Sequence, residues 1–307
     1  MLRGPAVAGQ FYPDSPAKLR SMISSFVDAG AEKEEVIGLI VPHAGYVYSG
    51  AVAGATISRI KFKDTFVIIG PNHTGYGPPF SVMTQGSWQT PLGEVQIDSE
   101  LAEKLVSISE YFEEDSQAHQ YEHSVEVQLP FLQYFKEDVK IVPVILASSN
   151  VEALRAAGHD LARAIGSLDR DVVIMVSSDM NHYEPQGTGQ RKDRKAIDAI
   201  LELNEDELVK RIKEDDITMC GYAPAAVMLT AVKELGAGRA ELVRYQTSGD
   251  ISGDYNAVVG YAGIIIRKTS PLVKLARNAL ETYIREKKIL KPQELTPEMK
   301  DRAGVFV

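Results

Sequence analysis

The 307-residue chain is long enough for one large domain or two modest ones, and its 44% hydrophobic and 24% charged residues are those of an ordinary globular protein. A net charge of −9, from 33 Lys plus Arg against 42 Asp plus Glu, disfavours a phosphate backbone or an anionic membrane as the main partner. One cysteine excludes an internal disulfide and fits a reducing cytoplasm; no signal-peptide pattern and no membrane-length apolar run is present.

In chain order, a Gly- and Pro-rich opening holds the adjacent aromatics Phe11 and Tyr12, which are expected to be buried. Ser15 and Pro16 read as N-cap and first position of a helix running to Asp28. The run Val36 to Val41 has no polar partner and needs apolar cover on both faces, as in a parallel sheet flanked by helices. It stops at Pro42, so His43 leaves at the strand's carboxyl end, where open α/β sheets collect their ligands. A helix is expected from Gly50 to Ile60, and a second buried strand, Thr65 to Ile69, repeats the pattern by ending in Gly70, Pro71, Asn72 and His73.

Beyond the only tryptophan, Trp88, a helix opens at Asp98. The segment Ala118 to Phe135 has His119 and His123, and likewise Glu122 and Glu126, four apart, so a helix there would put each pair on one face. A single Glu-His spacing of this kind is too little for a di-iron bundle, which leaves these residues as pocket wall, with His123 the one expected to reach a site. Strands follow at Lys140 to Leu146 and Asp171 to Val176, separated by a helix from Asn150 to Leu168 in which His159 and Asp160 read as a solvated pair. The last of these strands delivers Ser177, Ser178, Asp179 and His182. A charged helical stretch from Arg191 to Asp215, a helix from Pro224 to Glu234 preceded by Cys220 and Gly221, and strands at Ala240 to Thr247 and Ala257 to Ile266 complete the body. The fold class is therefore α/β, with a mixed, largely parallel central sheet flanked by helices.

Residues 271–307 form a distinct tail, with eight Lys or Arg against five Asp or Glu, so that the tail is +3 and the body −12. Leu272, Leu275, Ala276, Ala279, Leu280, Tyr283 and Ile284 follow helical spacing. That apolar face is expected to bury against its own body or against a second subunit of a homo-oligomer. Gly304 to Val307 reads as the start of a strand. The expected division is residues 1–268 and 269–307.

Three strand ends and one helix start thus converge on His43, His73, Asp179, His182 and Cys220. Two imidazoles and a thiolate form a first shell for zinc, copper or iron. Asp179 and His182 suit a carboxylate that orients a ligand and a histidine that moves protons. No serine-hydrolase elbow and no Gly-rich phosphate loop is present.

The motifs PHAGYVYSG, GPNHTG, EHSVEVQLPF, VPVI, SSDMNHYEP and CGYAP, in this order, resemble the Memo family over roughly residues 4–266. That resemblance implies a fold like the LigB-type class III extradiol dioxygenases. It also implies metal ligation by His43, His73 and Cys220, with Asp179 and His182 as neighbouring pocket residues and Tyr48, Phe11, Tyr12 and Asn72 lining the cleft. Phe11 stands where some animal members, which are linked to cell-motility signalling, have Trp. Iron or copper is favoured and zinc is the alternative. A thiolate in place of the dioxygenases' carboxylate argues against ring cleavage itself and leaves redox or oxygenase-like chemistry on a small substrate. The tail sequence LVKLARNALETYIREKK resembles the start of an AMMECR-type domain, which is fused to or encoded beside Memo proteins in many prokaryotes together with a radical-SAM enzyme. Both are therefore expected partners. The alternatives are an accessory subunit of that radical-SAM system, holding a peptide or small ligand in the cleft, and a zinc hydrolase.

Overall fold

The computed structural model describes residues 1–269 and 271–288. Their strands are β1 (Leu2–Arg3), β2 (Val36–Val41), β3 (Thr65–Pro71), β4 (Phe80–Val82), β5 (Ser87–Thr90), β6 (Gly93–Ile97), β7 (Glu113–Glu114), β8 (Lys140–Leu146), β9 (Val172–Ser177), β10 (His182–Glu184), β11 (Ala237–Thr247) and β12 (Val258–Lys268). All belong to one sheet, whose main path runs β1-β5-β6-β8-β3-β9-β2-β12-β10. At its centre β8, β3, β9 and β2 are mutually parallel, and β12 closes antiparallel on β2. The fold is α/β with a mixed, largely parallel sheet, as the apolar runs require: β2, β3 and β9 are buried at every position.

The described helices are α1 (Pro16–Phe26), α2 (Tyr46–Ile57), α3 (Ser99–Ile108), α4 (Gln117–Gln120), α5 (Leu129–Phe135), α6 (Val151–Gly166), α7 (Gln186–Leu201), α8 (Glu205–Glu214), α9 (Tyr222–Glu234), α10 (Gly249–Ser252) and α11 (Pro271–Glu286). Two of them cover the sheet from opposite sides. Gly38 of β2 faces Val232 and Met228 of α9, whereas Gly263 of β12 faces Val52 and Thr56 of α2. Helix α1 then packs on α2, whose small residues let the backbones close in: a Cβ on Gly54 would lie 2.5 Å from the Phe26 carbonyl oxygen.

Four expectations change. Helix α2 starts at Tyr46, four residues before Gly50, because Gly45 ends the His43 loop at once. The Ala118 to Phe135 stretch is not one helix but α4, a 3₁₀ turn at Glu126–Gln128 and α5. His119 and His123 therefore do not share a face: His119 is wholly buried, whereas His123 is partly open. The charged stretch divides into α7 and α8 around Leu203, whose φ is +54°. Asp160 is nearly buried beside Arg163, while His159 bonds Glu234. The tail helix forms as α11, and the strand reading at Gly304 to Val307 lies outside the described residues. Among the described residues no helix is long and apolar enough to cross a membrane.

Candidate metal centre

The carboxyl ends of β2, β3 and β9 meet the loop after α4 and the start of α9. His43 follows β2 directly, and its ring is buried with Nδ1 3.0 Å from Ser177 Oγ. The Ser177 hydroxyl hydrogen is committed, because Oγ donates to the Ser124 carbonyl and accepts from Gln128 Nε2 at 2.8 Å. His43 must therefore donate through Nδ1, which leaves the Nε2 lone pair for the site. Asp179 fixes the loop by accepting the His43 N–H at 2.8 Å and the Ala44 N–H at 3.3 Å.

His73 follows β3 through a turn built on Asn72, whose Oδ1 accepts the Thr74 and Gly75 N–H groups at 3.0 and 2.8 Å. His73 Nδ1 lies 2.9 Å from Glu122 Oε1, and His123 Nδ1 lies 3.4 Å from the same oxygen. The ring centroids of His43, His73 and His123 are 5.2, 5.4 and 4.6 Å apart, taken as the pairs 43–73, 43–123 and 73–123. One ring nitrogen from each lies within 4.8 Å of the others, so the three can hold one metal ion. Phe11 packs on the His123 ring at 4.8 Å.

The resemblance implied a set of His43, His73 and Cys220, and the sequence reading left His123 as a pocket residue expected to reach the site. The compact group consists of His43, His73 and His123, and Cys220 stands at its His43 edge with Sγ 3.2 Å from Nε2. That thiol also lies 3.6 Å from the Asp179 carbonyl and 4.0 Å from Ser178 Oγ. Gly221 permits the approach, since a Cβ there would sit 2.4 Å from Ser178 Cβ. His182 is held by its own backbone and ring: its N–H donates to Thr218 Oγ1 at 2.8 Å, and Nδ1 donates to the Thr218 carbonyl at 2.9 Å, freeing Nε2. The next residue, Tyr183, is exposed and has φ +59°, a conformation an aromatic residue adopts only when its surroundings impose it. Tyr48 lies exposed on the first turn of α2, whereas Tyr12 is buried with its hydroxyl on Glu126 Oε1 at 2.6 Å.

Burial, and then the neighbouring His123 and His73 rings, push the His43 imidazole well below its ordinary pKa, and burial lowers His123. Burial also raises the Cys220 thiol, reinforced by the Asp179 charge, and lifts Asp179 to about 6. Burial alone would raise Glu122 too, but bonding from His73 outweighs it and holds the carboxyl at about 2. The result is a neutral imidazole at His43 and at His123, the form that ligates metal, with a neutral thiol beside them. The donor set fits a borderline or soft transition metal: the Nδ1 atoms of His43 and His73 are tied to acceptors, as ligating histidines usually are. Sequence reasoning named Ser177 at its strand end without giving it a role, missed Gln128 and left Glu122 as pocket wall. The one available signal was its place directly before His123.

A family model described as Memo-like protein matches residues 3–265. The chain is 47% identical over 268 residues to a MEMO1 family protein of Methanococcoides burtonii, covering 87% of this chain and 100% of that one. It is 43% identical over 282 residues to one of Methanopyrus kandleri, covering 87% and 100%, and 43% identical over 277 residues to one of Desulfurococcus amylolyticus, covering 85% and 98%. Among solved structures, an uncharacterized protein of Escherichia coli K12 shares the fold, with a TM-score of 0.52 at 13% identity over 75% of this chain and 100% of that one. With a family model spanning the sheet and its site, and relatives matched over nearly their whole length, the chain belongs to the Memo family.

Proposed function

We propose that the protein binds one redox-active transition metal, iron or copper rather than zinc, for oxygenase-like chemistry on a small aromatic or other planar substrate. The observation that carries this reading is the convergence of three imidazoles on one point, with Cys220 Sγ 3.2 Å from His43 Nε2. A sulfur donor within reach favours softer metals over hard, oxygen-loving ones. Once bound, such a metal supplies redox and Lewis-acid chemistry. The chain's own residues supply the rest. His182, with Nδ1 committed to the Thr218 carbonyl, has Nε2 available to take and return a proton, and Asp179 keeps the His43 loop in register. Phe11, packed on the His123 ring at 4.8 Å, gives a planar substrate an aromatic surface, and Tyr48 is exposed on the first turn of the helix that follows His43.

The test is elemental analysis of anaerobically purified protein, followed by oxygen uptake with a panel of catechols and other small aromatics. Near-stoichiometric iron or copper with substrate-dependent oxygen uptake supports the reading. Zinc with oxygen-independent turnover would replace it with a hydrolase.

A second reading is supported by the tyrosines that flank the site histidines in sequence. Tyr48, Tyr76, Tyr121 and Tyr183 are all exposed, each within five residues of a site histidine, more aromatic surface than a solvated rim needs. On this reading the cleft holds a peptide or small ligand for a radical-SAM or AMMECR-type partner. Purified protein without metal, and with no metal uptake on titration, would move the assignment there.

A further inference from the structure

Glu122 has no solvent-exposed surface, and every partner recorded around its carboxylate is a nitrogen. Oε2 accepts the His73 N–H at 2.6 Å, while Oε1 accepts the Ser124 N–H at 2.9 Å and faces His73 Nδ1 at 2.9 Å and His123 Nδ1 at 3.4 Å. An ionised carboxylate only accepts, so a ring nitrogen bonded to it must carry the hydrogen. We infer that Glu122 is the positioning residue of the centre. It fixes His73 as the Nδ1–H tautomer, draws the Nδ1 edge of His123 toward the same oxygen, and so turns the Nε2 lone pairs of both rings toward His43.

The assignment rests on the metal-site reading for its purpose but not for its geometry. His43 reaches the same orientation by separate means, through Ser177, so the centre divides into one ring set by a hydroxyl and two served by one carboxylate. The backbone adds a reason why the carboxylate cannot be exchanged for an amide. Glu122 spans the His73 and Ser124 N–H groups, which lie on different segments and both need acceptors. In Glu122→Gln one amide face presents N–H where an acceptor is required. Either a backbone donor loses its partner, or His73 must accept through Nδ1 and move its hydrogen to Nε2, the atom needed for the metal.

The experiment uses full-length, metal-free protein with ¹⁵N-labelled histidine, with the His73 signals assigned by their loss in His73→Phe, and a Co²⁺ titration of the same samples. Wild type is expected to show His73 protonated at Nδ1. Glu122→Gln is expected to lose that signature and to bind Co²⁺ roughly 10- to 100-fold more weakly, with Glu122→Asp recovering part of both. A wild-type spectrum with His73 protonated at Nε2 overturns the inference without any variant. An unchanged tautomer and unchanged Co²⁺ affinity in Glu122→Gln overturns it as well. A tautomer change in protein that binds no Co²⁺ in any form upholds the role of Glu122 and instead sinks the metal-site reading.

Discussion

Arg3 and Glu126, 123 positions apart, form an ion pair in which neither side chain has appreciable contact with solvent. Arg3 also donates to the His119 carbonyl at 3.0 Å and the Glu122 carbonyl at 2.7 Å, and lies over the Trp88 ring at 4.3 Å. Glu126 in turn accepts the Ala6 and Val7 N–H groups at 2.7 and 3.0 Å. Residues 3–12 are thereby clamped onto the segment that carries Glu122 and His123. Breaking a buried pair from one side leaves an uncompensated charge. Arg3→Met is therefore expected to cost about 3–5 kcal/mol, and pairing it with Glu126→Gln should cost less than the sum of the two single changes. Chemical denaturation of the three variants checks this; strict additivity would show that the pair acts as two independent residues.

His119 is wholly buried with neither ring nitrogen bonded, and burial lowers its pKa from 6.5 to about 4. The unfolded chain therefore binds the proton first. The stability this histidine contributes is complete above pH 6.5 and is lost as pH falls toward 4, about 3 kcal/mol across the window. Relative to His119→Leu, wild type should lose about that much stability between pH 7 and pH 4. Urea melts at both values read it directly, and parallel curves would mean that His119 does not titrate in this range.

The centre offers two ways to choose three ligands, and they part at His123 and Cys220. If the compact histidine group holds the metal, His123→Ala should lower Co²⁺ affinity by more than about 100-fold, as loss of a ligand must exceed loss of an outer partner. Cys220→Ser should then shift the Co²⁺ absorption bands by removing sulfur without abolishing binding. The reverse pattern, with a silent His123→Ala and no binding in Cys220→Ser, would assign the third position to the thiolate.

Gly221 allows Cys220 to reach His43. A methyl group there meets Ser178 Cβ and, at 2.9 Å, the Ser177 carbonyl oxygen, which is backbone and cannot swing aside. Gly221→Ala should destabilise the fold by about 1–3 kcal/mol and weaken metal binding, because the start of α9 must retreat from β9. Melting temperature and Co²⁺ titration together test this. A variant equal to wild type in both would show that the contact relaxes freely.

Much of this architecture is legible in the amino-acid sequence. The bounds of β8 match the sequence reading at both ends, and β2, β3 and β9 stand where uninterrupted apolar runs place them, because a strand buried on both faces leaves a continuous signal. His43, His73, Asp179, His182 and Cys220 were legible for the same reason: each lies at or just past the end of such a run or at a helix start. The loop from Ser116 to Gln128 was harder. Its i, i+4 histidines and glutamates imitate a helix face, yet Glu122 is bonded to His73 across 49 positions and Glu126 to Arg3 across 123. Those bonds outweigh local propensity. Long-range charge pairing leaves no periodic trace, so neither the break after α4 nor the joining of His123 to the other two rings could be read from spacing. The short edge strands β1, β7 and β10 escaped for a similar reason, since two or three residues cannot establish a period.

The parts of the centre are spread so widely along the chain that its assembly has a built-in order. His43, His73, Glu122, His123, Asp179 and Cys220 span 178 positions of the sequence. Contacts this distant form only after the loop-closure entropy of the intervening chain has been overcome. During synthesis from the ribosome, the first two histidines emerge long before the carboxylate that sets one of them and the thiol that flanks the other. A fragment that stops before β9 carries all three imidazoles but lacks the strand that lies between β2 and β3 and spaces His43 from His73. Any ion held by the three imidazoles would therefore find its cage only after strands far apart in the sequence have paired.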